Sequence, residues 1–187
     1  MQWDAGLSDT GCDSVARQLF PESHWPELRI LVCVVCKDEK SMPSTAGMQC
    51  SVRTSGLMQH RLAHVSTRVA QITKAIADRN FPEFAVLTMR DSNEMHAVCL
   101  DTYPPISYLS DTSHNIIRAV HSFNDQSDVV RAAYTFDAGP NAVLFCETKD
   151  VRELREVVER EFCKSGRVSE VIECKVGTGP VLLVDRE

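Results

Sequence analysis

The sequence predicts an α+β fold built on a split β-α-β-β-α-β pattern, with extra helices inserted. Three observations carry this. A nearly continuous apolar run at 28–35 reads as one central strand. Two β-branched and aromatic runs, AAYTF and AVLFC, flank a Gly-Pro-Asn connection at 139–141 and read as a hairpin-like pair. Helical periodicity fills the stretch between them and returns after Asp150, before a last pair of short strands. With the extra helices removed, this order is the ferredoxin-like sandwich: an antiparallel-containing sheet with helices on one face.

Residues 1–27 show no period of either kind, and Trp3 and Trp25 are their large apolar groups. Leu28 to Val35 is the first strand, followed by a polar loop, KDEKSMP, at 37–43. Helix begins near Ser44, with Ser44 and Thr45 as N-cap candidates and small residues in STAGM that permit close approach. Leu62, Val65, Val69, Ile72 and Ile76 recur at spacings of three and four, predicting the buried face of a long helix. Asn80 and Pro82 separate it from the next helix, where Phe84, Leu87, Asp91, Met95 and Val98 share a face. Pro104 and Pro105 break the chain. Asp111 or Thr112 is expected to cap a further helix with Ile116, Ile117, Val120 and Phe123 inward. Asp150 opens VRELREVVEREFCK, whose Glu and Arg spacing suits a solvated face. Strands at 168–176 and 181–184 close the chain.

At 187 residues the chain holds one good core, or one domain and a piece of another. A net charge of −6 argues against nucleic acid or an anionic membrane surface as the main partner. The longest apolar run, Ile30 to Val35, suits one buried strand and is far too short to span a membrane. The N-terminal residues resemble neither a signal peptide nor a basic presequence, so a cytoplasmic address is expected. The eight cysteines are scattered through apolar runs, as buried small hydrophobes are. Cys33 and Cys36, three apart on a strand, point to opposite faces, so no metal site is expected.

Candidate chemistry is sparse. Asp137 stands where the apolar run stops, and either opens the turn or points a carboxylate into a cleft. Ser44 at a helix start is either a plain N-cap or a phosphate ligand, because free N–H groups and a hydroxyl converge there. Asp91, Ser92, Asn93 and His96 form a polar group on an otherwise apolar helix, a cleft wall or a cap network. His60 and His64 share a helix face without the glutamate of a zinc protease and read as a surface pair. No Gly-rich nucleotide loop and no Gly-x-Ser-x-Gly elbow occurs.

Four stretches together resemble the mevalonate diphosphate decarboxylases of the GHMP kinase superfamily. They are PESHWPELR (21–29), STAGM (44–48), TMRDSNEMHAVCLDTYPPISYL (88–109) and YTFDAGPNAVLF (134–145). The resemblance implies a GHMP kinase C-terminal domain. It also implies ATP-dependent, Mg²⁺-assisted decarboxylation of mevalonate 5-diphosphate to isopentenyl diphosphate, in isoprenoid and sterol synthesis, by a homodimer. It assigns Asp137 the role of the carboxylate that orients or deprotonates the tertiary hydroxyl, as general-base chemistry requires. It assigns Ser44, with Thr45 and Met48 beside it, to the substrate diphosphate.

The chain also departs from the family pattern. Members are about twice as long, and their ATP loop, substrate-binding lysine and tyrosine, and SGSACR arginine would fall before Met1. Arg17, in DSVARQ, is not that arginine. The implied organisation is a tail of an N-terminal ATP-binding domain at 1–27 and the decarboxylase C-terminal domain at 28–187. The 187 residues alone are then expected to be inactive, with Trp3, Trp25 and the first strand uncovered. The competing expectations are a sister kinase acting on mevalonate or its phosphate, and a non-catalytic binding or dimerisation module.

Overall fold

A computed structural model describes residues 1–35 and 42–179. Cys36, most of the polar loop after it and the strand expected at 181–184 lie outside the described residues. The N-terminal segment holds a minimal hairpin, β1 (Gln2–Trp3) against β2 (Ala16–Arg17), and one 3-10 turn at Glu22–His24. Trp3 is exposed, as expected, but Trp25 is not. Its indole packs edge-on to Phe81 and Phe84, 6.4 and 5.7 Å between ring centroids, and joins the main core. The expectation that Trp25 and the first strand stand uncovered is corrected: Trp25 is 4% exposed and Leu31 and Cys33 are fully buried.

The main sheet comprises β3 (Leu28–Val34), β4 (Ala132–Phe136), β5 (Ala142–Glu147) and β6 (Glu170–Lys175). Its order is β4-β5-β3-β6, and every neighbouring pair is antiparallel. In chain order this is second-third-first-fourth, the split arrangement predicted above. The continuous apolar run of β3 suits its place inside the sheet, with a partner on each side. Leu31 faces Leu144 across one ladder, so register places two fully buried side chains together. Burial holds the Cys33 and Cys146 thiols protonated, each pushed up to about 12, which makes them inert core groups.

The crossover from β3 to β4 carries four helices: α1 (Ser44–Thr54), α2 (Gly56–Ala77), α3 (Phe81–Asp101) and α4 (Asp111–Asn124). The crossover from β5 to β6 carries α5 (Val151–Val158), which runs on into a π-helical turn at Glu159–Cys163. Ile116, Val120, Phe123, Leu154, Val158 and Phe162 are buried in the core with β3, β4 and β5. Asn80 accepts from the Glu83 N–H and caps α3, with Pro82 in its first turn, which explains why the sequence breaks there. The cap of α4 is Ser110 rather than Asp111 or Thr112, because Ser110 and Ser113 bond each other's backbone N–H groups reciprocally.

The stripe predicted for α2 is only half right. Ile72 and Ile76 pack against the core, Val69 is only partly buried, and Leu62 and Val65 are exposed. Arg61 and Arg68, two turns apart, occupy the inner face there instead. Each reaches across to both Asp91 and Glu94 on α3. The apolar stripe therefore starts one turn beyond the ion network.

Candidate substrate pocket

Asp137 is the first residue after β4, and its place is fixed by what grips that strand. β4 lies at one edge of the sheet, so alternate N–H and C=O groups point away from β5. Helix side chains meet them. Asn124 accepts from the Ala132 N–H and donates to the Ala132 carbonyl, both at 2.9 Å. Ser92, almost fully buried, accepts from the Phe136 N–H at 3.0 Å. The His96 ring lies edge-on to the Phe136 ring at 6.3 Å, and its buried Nε2 has no hydrogen-bond partner among the described residues. Asn93 accepts from the Tyr134 hydroxyl at 3.0 Å. The motif at 91–101 is thus a clamp from α3 onto the strand that ends at Asp137.

The rest of that motif organises α2. Asp101 accepts from the Ser55 hydroxyl at 2.8 Å and from the Leu57 N–H at 3.0 Å, so it caps the start of α2 together with Ser55. These bonds hold its carboxyl below the usual range. Asp91 is half-buried, and burial alone would raise its carboxyl; the bonds from Arg61 and Arg68 outweigh this and lower it. Burial lowers the pKa of His96, only partly offset by the Phe136 carbonyl and by Asp137, so the ring stays neutral at pH 7. Neither alternative describes the four residues as a set: Ser92 and Asn93 bond β4, Asp91 pairs with Arg61 and Arg68, and none of them caps a helix.

Asp137 itself is exposed, and among the described residues its carboxylate accepts no hydrogen bond. It opens onto a cavity of about 340 Å³ between α1, α2, α3 and the loop before α4. Ser44, Gly47 and Met48 of α1 line one side, Met58 and Arg61 of α2 another, and Met95, Val98 and Cys99 of α3 the floor. Tyr108 and Ala138 complete the wall beside Asp137. Ser44, Met48 and Asp137 therefore share one pocket, although they are far apart in sequence. Thr45 does not line it and is exposed.

Ser44 is the first residue of α1, not its N-cap. Pro43 holds that position, and no side chain caps the helix. The Ser44 hydroxyl and the first amide N–H groups of α1 are consequently open toward a ligand, the arrangement that suits phosphate oxygens. Arg61 faces the same cavity, but its guanidinium is committed to Asp91 and Glu94. Sequence reasoning missed Tyr108 and Arg61 as pocket residues. Neither has a local signal: one follows a proline break and the other sits in a helix with ordinary charge content. Among the described residues no three His, Cys, Asp or Glu side chains converge on a metal. The sequence contains no Gly-rich nucleotide loop.

A concave, mostly apolar chamber with a carboxylate and a helix N-terminus at its walls is the kind of cavity in which α+β domains hold small molecules. Comparison with known proteins makes the assignment specific. The family model for the mevalonate 5-diphosphate decarboxylase C-terminal domain matches residues 30–175. The chain is 54% identical over 163 residues to the diphosphomevalonate decarboxylase of Bos taurus, a match covering 87% of this chain and 41% of that protein. The solved mevalonate diphosphate decarboxylase from Trypanosoma brucei superposes with a TM-score of 0.82 at 35% identity, over 86% of this chain and 43% of that one. A solved complex of MDDEF with MVAPP, AMPPCP and magnesium superposes with a TM-score of 0.76 at 27% identity, over 86% and 47%. The chain belongs to the mevalonate 5-diphosphate decarboxylase family, through that family's C-terminal domain. It spans about two fifths of the length of the bovine relative.

Proposed function

We propose that this chain supplies the carboxylate and part of the diphosphate site for ATP-dependent decarboxylation of mevalonate 5-diphosphate to isopentenyl diphosphate. The observation that carries the reading is the meeting of Ser44, Met48 and Asp137 in one apolar pocket. MVAPP held by a solved relative of the same fold supports it. Ser44 and the first N–H groups of α1 receive phosphate oxygens, and Met48, Met95 and Val98 pack against the carbon body. Asp137, with no internal hydrogen bond to break, accepts the proton of the tertiary hydroxyl as that oxygen becomes the nucleophile. When bound, ATP with magnesium would supply the phosphoryl group that turns the hydroxyl into a leaving group, and the residues described here contribute no ligand to either.

The 187 residues by themselves are inactive on this reading, because phosphoryl transfer depends on positioned phosphates and metal. A homodimer with a cytoplasmic address belongs to the same proposal. The test is carbon dioxide release from mevalonate 5-diphosphate with ATP and Mg²⁺ by the purified chain, with Asp137→Asn alongside. The expected result is no release from either protein. Release that disappears in Asp137→Asn would keep the role of the carboxylate and overturn the inactivity of the chain. Release that persists in Asp137→Asn would overturn the assignment of Asp137.

A further inference from the structure

Gly47 explains itself only through Tyr108. A Cβ built on Gly47 would stand 2.5 Å from the Tyr108 hydroxyl, with Ile106 at 3.4 Å and Met42 at 3.6 Å. No side chain fits there unless the phenol moves. Gly47 is three residues after Ser44, in the first turn of α1, so the phenol oxygen lies against the helix start that faces the pocket. Among the described residues that hydroxyl has no hydrogen-bond partner. Burial, with Cys99 and Asp137 nearby, holds the phenol above its usual range, so at neutral pH it remains a donor.

The polar inventory of the pocket then divides sharply. Ser51 is bonded to Thr102 at 2.7 Å, and Arg61 is held by Asp91 and Glu94. Three groups are left uncommitted: the Ser44 hydroxyl, the Tyr108 hydroxyl and the Asp137 carboxylate. Two of these can donate and the third only accepts. A ligand matched to the set offers anionic oxygens to the two hydroxyls and a hydroxyl proton to Asp137. A hydroxy-acid diphosphate does both.

We propose that Tyr108 is a ligand-positioning residue whose hydroxyl, admitted by the absent side chain of Gly47, donates a hydrogen bond to an anionic oxygen of the bound diphosphate ester. This rests on the functional reading above and adds a contact to it. Loss of one such bond to an anionic oxygen weakens binding by roughly tenfold to a hundredfold. Because the hydroxyl bonds nothing among the described residues, its removal leaves the melting temperature unchanged.

The test is calorimetric titration of the 187-residue chain with mevalonate 5-diphosphate, using wild type, Ser44→Ala, Tyr108→Phe, Gly47→Ala and the double variant. Tyr108→Phe should weaken binding by the stated factor at constant melting temperature. Gly47→Ala, which displaces the hydroxyl, should do the same, and should add little in the Tyr108→Phe background. A purely structural role for Gly47 would instead give additive losses and a lowered melting temperature, overturning the proposal. Repeating the titration with isopentenyl diphosphate locates the bond: an equal loss places it on the diphosphate, and no loss places it on the carboxylate. A chain that binds, weakens with Ser44→Ala and ignores Tyr108→Phe overturns the role of Tyr108 alone. A wild-type chain that does not bind at all overturns the functional reading and this inference with it.

Discussion

Ser92→Ala is the perturbation that separates the clamp from the chemistry. Ser92 is 3% exposed, and its hydroxyl is the acceptor for the outward N–H of Phe136, at the end of an edge strand. The substitution removes one oxygen and leaves that buried N–H with no partner from the sheet, because β4 has its neighbour only on the other side. An orphaned buried donor costs about 2 kcal/mol. For a chain of this size that lowers the melting temperature by roughly 4–8 °C. Asp137, one residue further on, is exposed and its carboxylate bonds nothing among the described residues, so Asp137→Asn should melt within about 1 °C of wild type by the same reasoning. Circular dichroism melts of the three proteins, monitored at two wavelengths, make the comparison. Ser92→Ala should also weaken mevalonate 5-diphosphate binding, because the strand end that presents Asp137 is loosened. A Ser92→Ala protein that melts with wild type would refute the edge-strand clamp.

Other expectations follow from the ion networks. Asp91→Asn leaves Arg61 and Arg68 facing Glu94 alone, and after allowance for a side chain 38% exposed the loss is about 1–2 kcal/mol at pH 7. Its folded pKa lies below the unfolded value, so the contribution is complete above about pH 4 and is lost as pH falls through the folded value. The gap between wild type and Asp91→Asn in urea should therefore narrow on acidification, and a gap that widens would contradict the assignment. Arg131 holds the buried Asp150 carboxylate at 3.2 Å and lies over the Phe123 ring at 4.2 Å. Arg131→Ala should cost about 3 kcal/mol by leaving that carboxylate unpaired, and adding Asp150→Asn should recover part of the loss in the same denaturation assay.

The sheet was legible because its signals are local. The runs at 28–34, 132–136 and 142–147 are apolar and β-branched, and the turn formers between the last two limit the connection to a few residues. The stripe at Ile116–Phe123 follows for the same reason, since core contact and period coincide there. Of the stripe expected on α3, by contrast, only Phe84 and Leu87 join the core, Met95 and Val98 line the pocket and Asp91 meets the arginines. The break between α1 and α2 at Ser55 was not legible. It depends on Asp101, 46 residues away, bonding Ser55. Leu62 and Val65 misled because period alone cannot tell an apolar stripe from a neighbouring one held by arginines.

The site divides along the same line. Ser44 and Asp137 were readable as exceptions, a hydroxyl at a helix start and a carboxylate at a strand end, and the family resemblance gave them a role. The polar cluster at 91–96 could be seen but not interpreted, because each member acts on a partner from another element: Asp91 on Arg61, Ser92 on Phe136, Asn93 on Tyr134. Tyr108 was invisible for the same physical reason. Its place depends on the missing Cβ of Gly47, a contact between segments some sixty residues apart in sequence.

The central claim is that one pocket gathers Ser44, Met48 and Asp137 around mevalonate 5-diphosphate. Amide chemical-shift mapping of the isotopically labelled chain during titration with that compound addresses it directly. Saturable shifts should concentrate at Ser44, Gly47, Met48, Asp137 and Ala138, with β6 unaffected. Shifts centred on another face, or none at millimolar ligand, would contradict it.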